Sequence, residues 1–171
     1  MPNKYMDTAF VDKAIKFAVD AHANTERRGG GIPYSIHLLE AVEIVATMTK
    51  DQEIMAAAAL HDTVEDTAVS IDEIRATFGE RVASLVQLES EKRTPGADER
   101  ASWRSRKEQA ILTLSQAPYE AKMVALGDKL SNIRAIARDY RSLGDQLWSR
   151  FHAPNGKADH EWHYRSLANA L

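Results

Sequence analysis

Apolar residues recur at helical spacing along most of the chain. In residues 7–23 the apolar positions fall three or four residues apart, with charged residues between them, and this pattern is typical of an amphipathic helix. The same spacing returns in residues 37–48, 103–116 and 119–137. A Ser-Ile-Asp-Glu sequence from Ser70 fits a capping box at the start of a further short helix, which Gly79 would end. The pattern therefore predicts several helices joined by loops.

The most informative stretch follows Asp51, which is placed to begin a helix. Aliphatic residues continue to Leu60, and the stretch then turns ionisable at His61, Asp62, Glu65 and Asp66. Residues three or four apart share a helix face, so Glu65 should lie near both members of the His-Asp pair.

An imidazole nitrogen and a carboxylate oxygen can both ligate a divalent metal, and neighbouring carboxylates can orient or deprotonate an attacking water. We therefore interpret residues 56–66 as a site on a buried central helix. The alternative for these residues alone is a solvated helix terminus with surface carboxylates.

Two segments break the helical pattern. Residues 24–34 contain Arg27, Arg28, three consecutive glycines and a proline, which predicts a basic, glycine-rich loop. Its glycines do not fit the common nucleotide-binding patterns, but His37 opens the next helix directly after it. Residues 89–100 are almost devoid of apolar side chains and predict a mobile loop, whose Lys92 is either a solvated charge or a cation that closes over a phosphate-bearing ligand.

Asp128 lies in the middle of the apolar pattern of residues 119–137. A buried carboxylate without a partner costs several kcal/mol, so Asp128 needs a cation. The spacing favours neither a metal nor a basic side chain such as Lys129 or Arg134 as that cation. Asn132 follows one turn later on the same face.

The remaining histidines lack convincing ligand spacing. His22 falls at the end of the first helix, where a structural role is favoured. His152, His160 and His163 lie in the C-terminal segment among aromatic residues. We interpret all three of them as structural or exposed.

Composition narrows the class of protein. The chain has 171 residues, of which 44% are hydrophobic and 27% charged, so we expect one domain over residues 1–171. The net charge of −3 argues against sequence-independent binding to a nucleic acid duplex. The absence of cysteine excludes disulfides and thiolate metal ligands. With no signal peptide or membrane span in the sequence, we expect a cytoplasmic protein.

The order of these residues resembles the His-Asp superfamily of metal-dependent phosphohydrolases. Residues 33–37 (PYSIH), 59–67 (ALHDTVEDT) and 126–132 (LGDKLSN) resemble the hydrolase domain of RelA/SpoT-type proteins. The resemblance implies an all-α fold and a stand-alone small alarmone hydrolase. It also implies a single Mn(II) ion held by His37, His61, Asp62 and Asp128, with Glu65 and Asp66 assisting the attacking water.

The substrate that this resemblance implies is guanosine tetraphosphate or pentaphosphate, which would lose its 3′-pyrophosphate. Arg27, Arg28 and Asn132 would contact this small-molecule nucleotide, and no nucleic acid or membrane partner is expected. Gly127 and Ala135 depart from the family pattern. An adenosine alarmone or another 3′-phosphorylated nucleotide therefore stays open as the substrate. A general 5′-nucleotidase and a non-catalytic nucleotide-binding module are the rival functions, and a homodimer stays open.

Overall fold

The fold consists of helices alone within the part of the chain that the structure describes. This computed structural model describes residues 8–28, 31–90, 96 and 98–171. Extended pairing in these ranges is limited to an isolated antiparallel bridge between Glu26 and Pro33. The expectation of an all-α fold is therefore confirmed.

The helices follow one another with mostly short connections. Their bounds are α1 (Ala9–Ala21), α2 (Ser35–Ala46), α3 (Gln52–Leu60), α4 (Thr63–Asp66), α5 (Ile71–Phe78), α6 (Glu80–Glu89), α7 (Trp103–Gln116), α8 (Tyr119–Leu143) and α9 (Lys157–Ala170), with a 3₁₀ segment at Gly144–Arg150. None of the helices in this described part combines the length and the hydropathy that crossing a bilayer demands.

Helix α3 lies at the centre of the molecule. Every residue from Ile54 to Leu60 is buried, and α3 packs against α1, α2, α6 and α8. Asp51 caps its N-terminus, because the Glu53 amide donates a hydrogen bond of 2.9 Å to the Asp51 carboxylate. His61 directly follows the last residue of this buried helix and therefore lies in the interior.

Helices α2 and α8 approach each other closely at Gly127. A Cβ atom on this residue would lie 2.8 Å from the Ala41 carbonyl oxygen and 2.9 Å from Cγ2 of Val45. The backbone oxygen cannot move aside unless α2 itself shifts, since helix interiors are close-packed. Because glycine has no side chain, the two helices can pack closely here. The next residue, Asp128, then lies beside His37 at the start of α2.

Two element boundaries differ from the predicted ones. Helix α3 ends at Leu60, and the His61–Asp62 pair forms a turn before α4, so the site stretch is not one continuous helix. The His61 ring contributes to the break, because its Nδ1 lies 2.7 Å from the Ala58 carbonyl oxygen that continued helix would use. Helix α6 extends to Glu89, which the sequence placed in the mobile loop, and this side chain is only 7% exposed.

The two predicted loops are described only in part. The loop between α1 and α2 is closed by the Arg27 amide, which donates a hydrogen bond of 2.9 Å to the Ile32 carbonyl, while residues 29–30 lie outside the described ranges. Lys92 also lies outside the described residues. The proposal that a basic loop closes over a ligand is therefore untested.

A second buried cluster joins the C-terminal helices. Leu114 of α7, Ala125 of α8 and Leu167 of α9 are its buried members together with Ala170. The Trp103 ring packs edge-on against Trp162 of α9, with 6.2 Å between ring centroids. This packing attaches the C-terminal segment to the rest of the fold.

We predict that Gly127→Ala lowers the free energy of unfolding. Overpacking of a close helix contact costs typically about 1–3 kcal/mol, whereas alanine in an unobstructed helix would stabilise by about 1 kcal/mol. Urea denaturation of the metal-free protein measures the change. The matched control is Ala137→Gly, at an exposed position of α8, which reports the helix propensity alone. Stabilisation by Gly127→Ala would contradict the close contact.

Candidate metal centre

Four side chains that the sequence singled out meet at one point. His37 lies in the first turn of α2, the His61–Asp62 pair follows α3, and Asp128 lies within α8. One nitrogen or oxygen atom from each residue lies within 4.8 Å of the corresponding atoms of the others. Both histidines and Asp128 are buried, and Asp62 is half-buried. The four side chains therefore share one interior site.

The distances between these atoms suit the ligands of one divalent cation. Nε2 of His61 lies 2.8 Å from Oδ2 of Asp62, 3.6 Å from Oδ1 of Asp128 and 3.2 Å from Nε2 of His37. Nε2 of His37 lies 3.3 Å and 3.2 Å from the same two carboxylate oxygens. Ligands about 2.0–2.2 Å from a cation stand roughly 3.0–3.5 Å apart in tetrahedral or cis-octahedral geometry. The donor set therefore fits a divalent metal of the class that imidazole and carboxylate bind.

Hydrogen bonds orient both histidine rings for this role. Nδ1 of His61 lies 2.7 Å from the Ala58 carbonyl oxygen, which can only accept a hydrogen bond. Nδ1 of His37 lies 2.8 Å from Oγ of Ser131, whose hydroxyl donates to Glu40 at 2.8 Å. These contacts place a proton on each Nδ1 and leave the Nε2 lone pair of each ring facing the cluster.

The charges of the cluster depend on one another. Burial alone would raise the pKa of Asp62, but His61 and His37 hold it well below its usual range. Burial would also raise the pKa of Asp128, but Lys129 and the two histidines lower it well below its usual range. Burial opposes the charged form of His61, yet Asp62 and Asp128 raise the pKa of His61 well above its usual value. The imidazole and the carboxylates therefore stabilise one another's charged forms, and a divalent cation between them would take over that role.

Asp128 is held at both of its oxygens. Nζ of Lys129 lies 2.5 Å from Oδ2, and the Asn132 side-chain amide donates to Oδ1. On its other side, the Lys129 ammonium lies 3.2 Å from Oε2 of Glu89. Burial raises the pKa of Glu89, although Lys129 opposes this shift. Of the alternatives left open for Asp128, the basic partner is therefore Lys129, and the other oxygen still faces the histidines.

Tyr34 connects the cluster to the acidic pair. Its hydroxyl lies 2.6 Å from Oδ2 of Asp62 and 3.1 Å from Oδ2 of Asp66. Burial, followed by the charge of Asp62, raises the pKa of Tyr34, so the hydroxyl stays protonated and donates. The Tyr34 ring stacks on His22 with 4.9 Å between ring centroids. His22 is buried at the end of α1, in the structural position that its sequence context favoured.

A cavity of about 530 Å³ opens over the cluster. This volume exceeds the need of a metal ion and lies within the range of about 300–1,000 Å³ for small-molecule sites. Acidic residues of the cluster form part of the wall, and cationic and aromatic side chains from other elements form much of the rest. The latter include Arg27, Arg28, Trp103, Arg106, Lys107, Arg138, Phe151, His160 and Tyr164.

Among the residues that the structure describes, those predicted to assist catalysis and bind substrate also line this cavity. Glu65 is half-buried and Asp66 exposed in α4. A guanidinium nitrogen of Arg27 donates a hydrogen bond of 2.5 Å to Oδ1 of Asn132, so these two residues act together. Arg28 lines the cavity as an exposed side chain. The roles of all five residues stay predictions.

Several residues around the cluster and its cavity gave little signal in the sequence. Tyr34 gave no signal beyond its place in the PYSIH motif, and Glu89 was hidden in a run of charged residues. His160 and His163, interpreted as structural or exposed, are buried and line the cavity. Arg134 pairs with Glu40 at 3.3 Å.

Sequence comparisons identify related proteins. The sequence model described as HD domain matches residues 14–156. A guanosine-3′,5′-bis(diphosphate) 3′-pyrophosphohydrolase of Danio rerio is 33% identical over 135 residues, which cover 77% of this chain and 71% of the relative. A protein of the same name from Aquifex aeolicus is 33% identical over 132 residues, covering 74% of this chain and 18% of the relative. The chain thus spans most of the first relative and less than a fifth of the second.

Solved structures show the same fold. The crystal structure of lmo0812 from Listeria monocytogenes EGD-e has a TM-score of 0.67 at 31% identity and covers 78% of this chain and 82% of that one. A metazoan ortholog of SpoT, described as hydrolysing ppGpp, has a TM-score of 0.70 and covers 96% of this chain and 97% of its own. At 21% identity, the second likeness supports the fold alone.

We predict that His61→Ala and Asp128→Ala each weaken metal binding by about a hundredfold or more. Each removes a candidate ligand, and even the outer partners of metal ligands contribute about 10–100-fold to affinity. Elemental analysis after dialysis against Mn(II), on protein whose helical circular dichroism is intact, measures occupancy. The control variants are His152→Ala and Asp145→Ala, which lie outside the cluster. Full occupancy in both cluster variants would contradict the assignment.

Proposed function

This chain belongs to the HD domain family, and from that membership we propose that it is a metal-dependent hydrolase that removes the 3′-pyrophosphate of guanosine tetraphosphate or pentaphosphate. The products would be GDP or GTP and pyrophosphate. Two relatives that carry the name of this activity match about three quarters of the chain. The observation that carries the proposal is the two-histidine, two-aspartate cluster in the wall of a cavity large enough for a nucleotide.

The metal that we propose is Mn(II), held by His37, His61, Asp62 and Asp128. A divalent cation bound there supplies Lewis acidity, which stabilises charge on a phosphoryl oxygen and makes water a stronger nucleophile near neutral pH. The protein holds both carboxylates ionised through the facing histidines and Lys129. It also presents each histidine by Nε2, since both Nδ1 atoms are engaged elsewhere.

Glu65 and Asp66 are the residues that we propose handle the proton of the attacking water. Water adds to the phosphorus bound to the 3′-oxygen as the bond between that oxygen and phosphorus breaks. The water oxygen ends in pyrophosphate, and the proton taken from the water is returned to the 3′-oxygen, which becomes the hydroxyl of the nucleoside. Both carboxylates line the cavity, and Tyr34 holds Asp66 beside Asp62 through its hydroxyl. This position beside the cluster supports the proposal that the acidic pair acts as general base.

Arg27 and Asn132 are proposed to hold the nucleotide. The Asn132 amide is committed to Asp128, and its oxygen accepts from Arg27, so the guanidinium is fixed relative to the metal ligands. A guanidinium has further donors that remain available to a phosphate or a base. Arg28 and Lys92 are proposed as additional cations, because a substrate phosphorylated at both ends carries more charge than one metal ion offsets.

We predict that the protein converts guanosine tetraphosphate and Mn(II) to equal amounts of GDP and pyrophosphate. Anion-exchange chromatography with phosphorus NMR identifies the products, and addition of a chelator is the control that should abolish them. The same assay with GTP, GMP and the adenosine analogue tests the specificity. Release of orthophosphate from 5′-nucleotides, with the tetraphosphate left intact, would contradict the proposal and favour a general nucleotidase.

We predict that joint substitution Glu65→Gln and Asp66→Asn retains the metal but lowers turnover at least about a hundredfold, which is the usual scale of general acid–base catalysis. Steady-state kinetics and metal content are measured on the same preparation. The matched control is Asp72→Asn with Glu73→Gln, an acidic pair exposed in the first turn of α5. Turnover close to that of the unmodified protein would remove Glu65 and Asp66 from the mechanism.

A further inference from the structure

Glu89, Lys129 and Asp128 form a chain of charges that leads away from the cluster. Nζ of Lys129 lies 2.5 Å from Oδ2 of Asp128 and 3.2 Å from Oε2 of Glu89. The Glu89 side chain is 7% exposed and that of Lys129 is 27% exposed. Glu89 is the last residue of α6 and Lys129 lies in α8, so the ammonium connects two helices at the wall of the cavity.

These charged contacts distinguish the two carboxylate oxygens of Asp128. Oδ1 faces Nε2 of His37 at 3.2 Å and Nε2 of His61 at 3.6 Å, whereas Oδ2 meets the ammonium. Side chains at consecutive helix positions diverge by roughly 100°. Lys129 must therefore bend back to reach its neighbour Asp128, and a second contact is needed to keep it there.

We propose that Glu89 is a positioning residue for the metal centre, which holds the Lys129 ammonium on Oδ2 of Asp128 so that Oδ1 alone is presented beside the histidines. This inference rests on the metal site of the proposed function. It adds a residue beyond the four candidate ligands and the acidic pair.

The balance of charges supports this role. Asp62 and Asp128 together match the charge of a divalent cation, and Lys129 adds a positive charge directly beside them. Glu89 offsets that charge from the side opposite Asp128. Without Glu89, the ammonium would lose the contact that holds it in place, and its uncompensated positive charge would repel the incoming cation, because charges in a poorly hydrated site interact strongly.

A structural ion pair between α6 and α8 would have a different signature. It would change the free energy of unfolding but leave the affinity and the coordination geometry of a bound metal unaltered. Metal binding and its spectrum therefore separate the two interpretations without any assay of turnover.

The test compares Glu89→Gln, Lys129→Met and the double variant. Mn(II) affinity is measured by competition with a chelator, and the visible absorption of the Co(II)-loaded protein reports coordination geometry. The control is Glu80→Gln, since Glu80 lies in the same helix, is 68% exposed and pairs with Arg75. We expect Glu89→Gln to weaken Mn(II) binding by about 10–100-fold, the scale of outer-shell partners, and to alter the Co(II) spectrum, whereas Glu80→Gln does neither.

The double variant tests whether Glu89 acts through Lys129. In the Lys129→Met background, Glu89→Gln should change Mn(II) affinity by less than about threefold, because interacting residues are non-additive. An undiminished effect in that background would overturn the proposal, as would unchanged affinity and spectrum in Glu89→Gln alone. If Glu89→Gln does not fold, Glu89→Asp carries the same test, since it keeps the charge but shortens the reach. Failure of the unmodified protein to bind either metal would instead contradict the metal site of the proposed function.

Discussion

Burial of two ionised carboxylates against two imidazole rings is the interaction on which the site depends. Asp128 is buried and Asp62 is half-buried, so each relies on a cation or on hydrogen bonds from its neighbours. The protein supplies Lys129, Asn132 and Tyr34 as partners around the rim of the cluster. The inner oxygens are left facing the histidines, which is where a metal ion would complete the charge balance.

The fold is organised to bring these groups together from distant parts of the chain. A short alanine-rich helix at the centre carries one His-Asp pair inward, and α2 and α8 bring His37 and Asp128 from either side. Because Asp128 follows Gly127 directly, the close helix contact and the ligand cluster depend on each other. A larger residue at position 127 would separate the helices at the point where His37 and Asp128 meet.

Much of this arrangement could be predicted from the sequence, because periodicity along a helix is a local property. The helices and the residues of the cluster were identifiable by spacing and by the HD family pattern. The contacts that were missed join residues far apart in sequence, such as Tyr34 with Asp62 and Glu89 with Lys129. The sequence predicts Glu89 in a mobile loop because its neighbours are charged, and only the position of α8 shows that the half-buried Lys129 ammonium meets it.

The two histidines of the cluster differ in what holds them, and this difference bears on how the metal preference of the protein could change. His61 is oriented by a backbone carbonyl, which every amino acid at position 58 would supply. His37 is oriented by Ser131, which in turn donates to Glu40, so both of its supports are side chains open to mutation. At the proposed metal site, adaptation to another cation would therefore be more accessible through positions 131 and 40, whose side chains would tune the electron donation of His37, than through the backbone contact of His61.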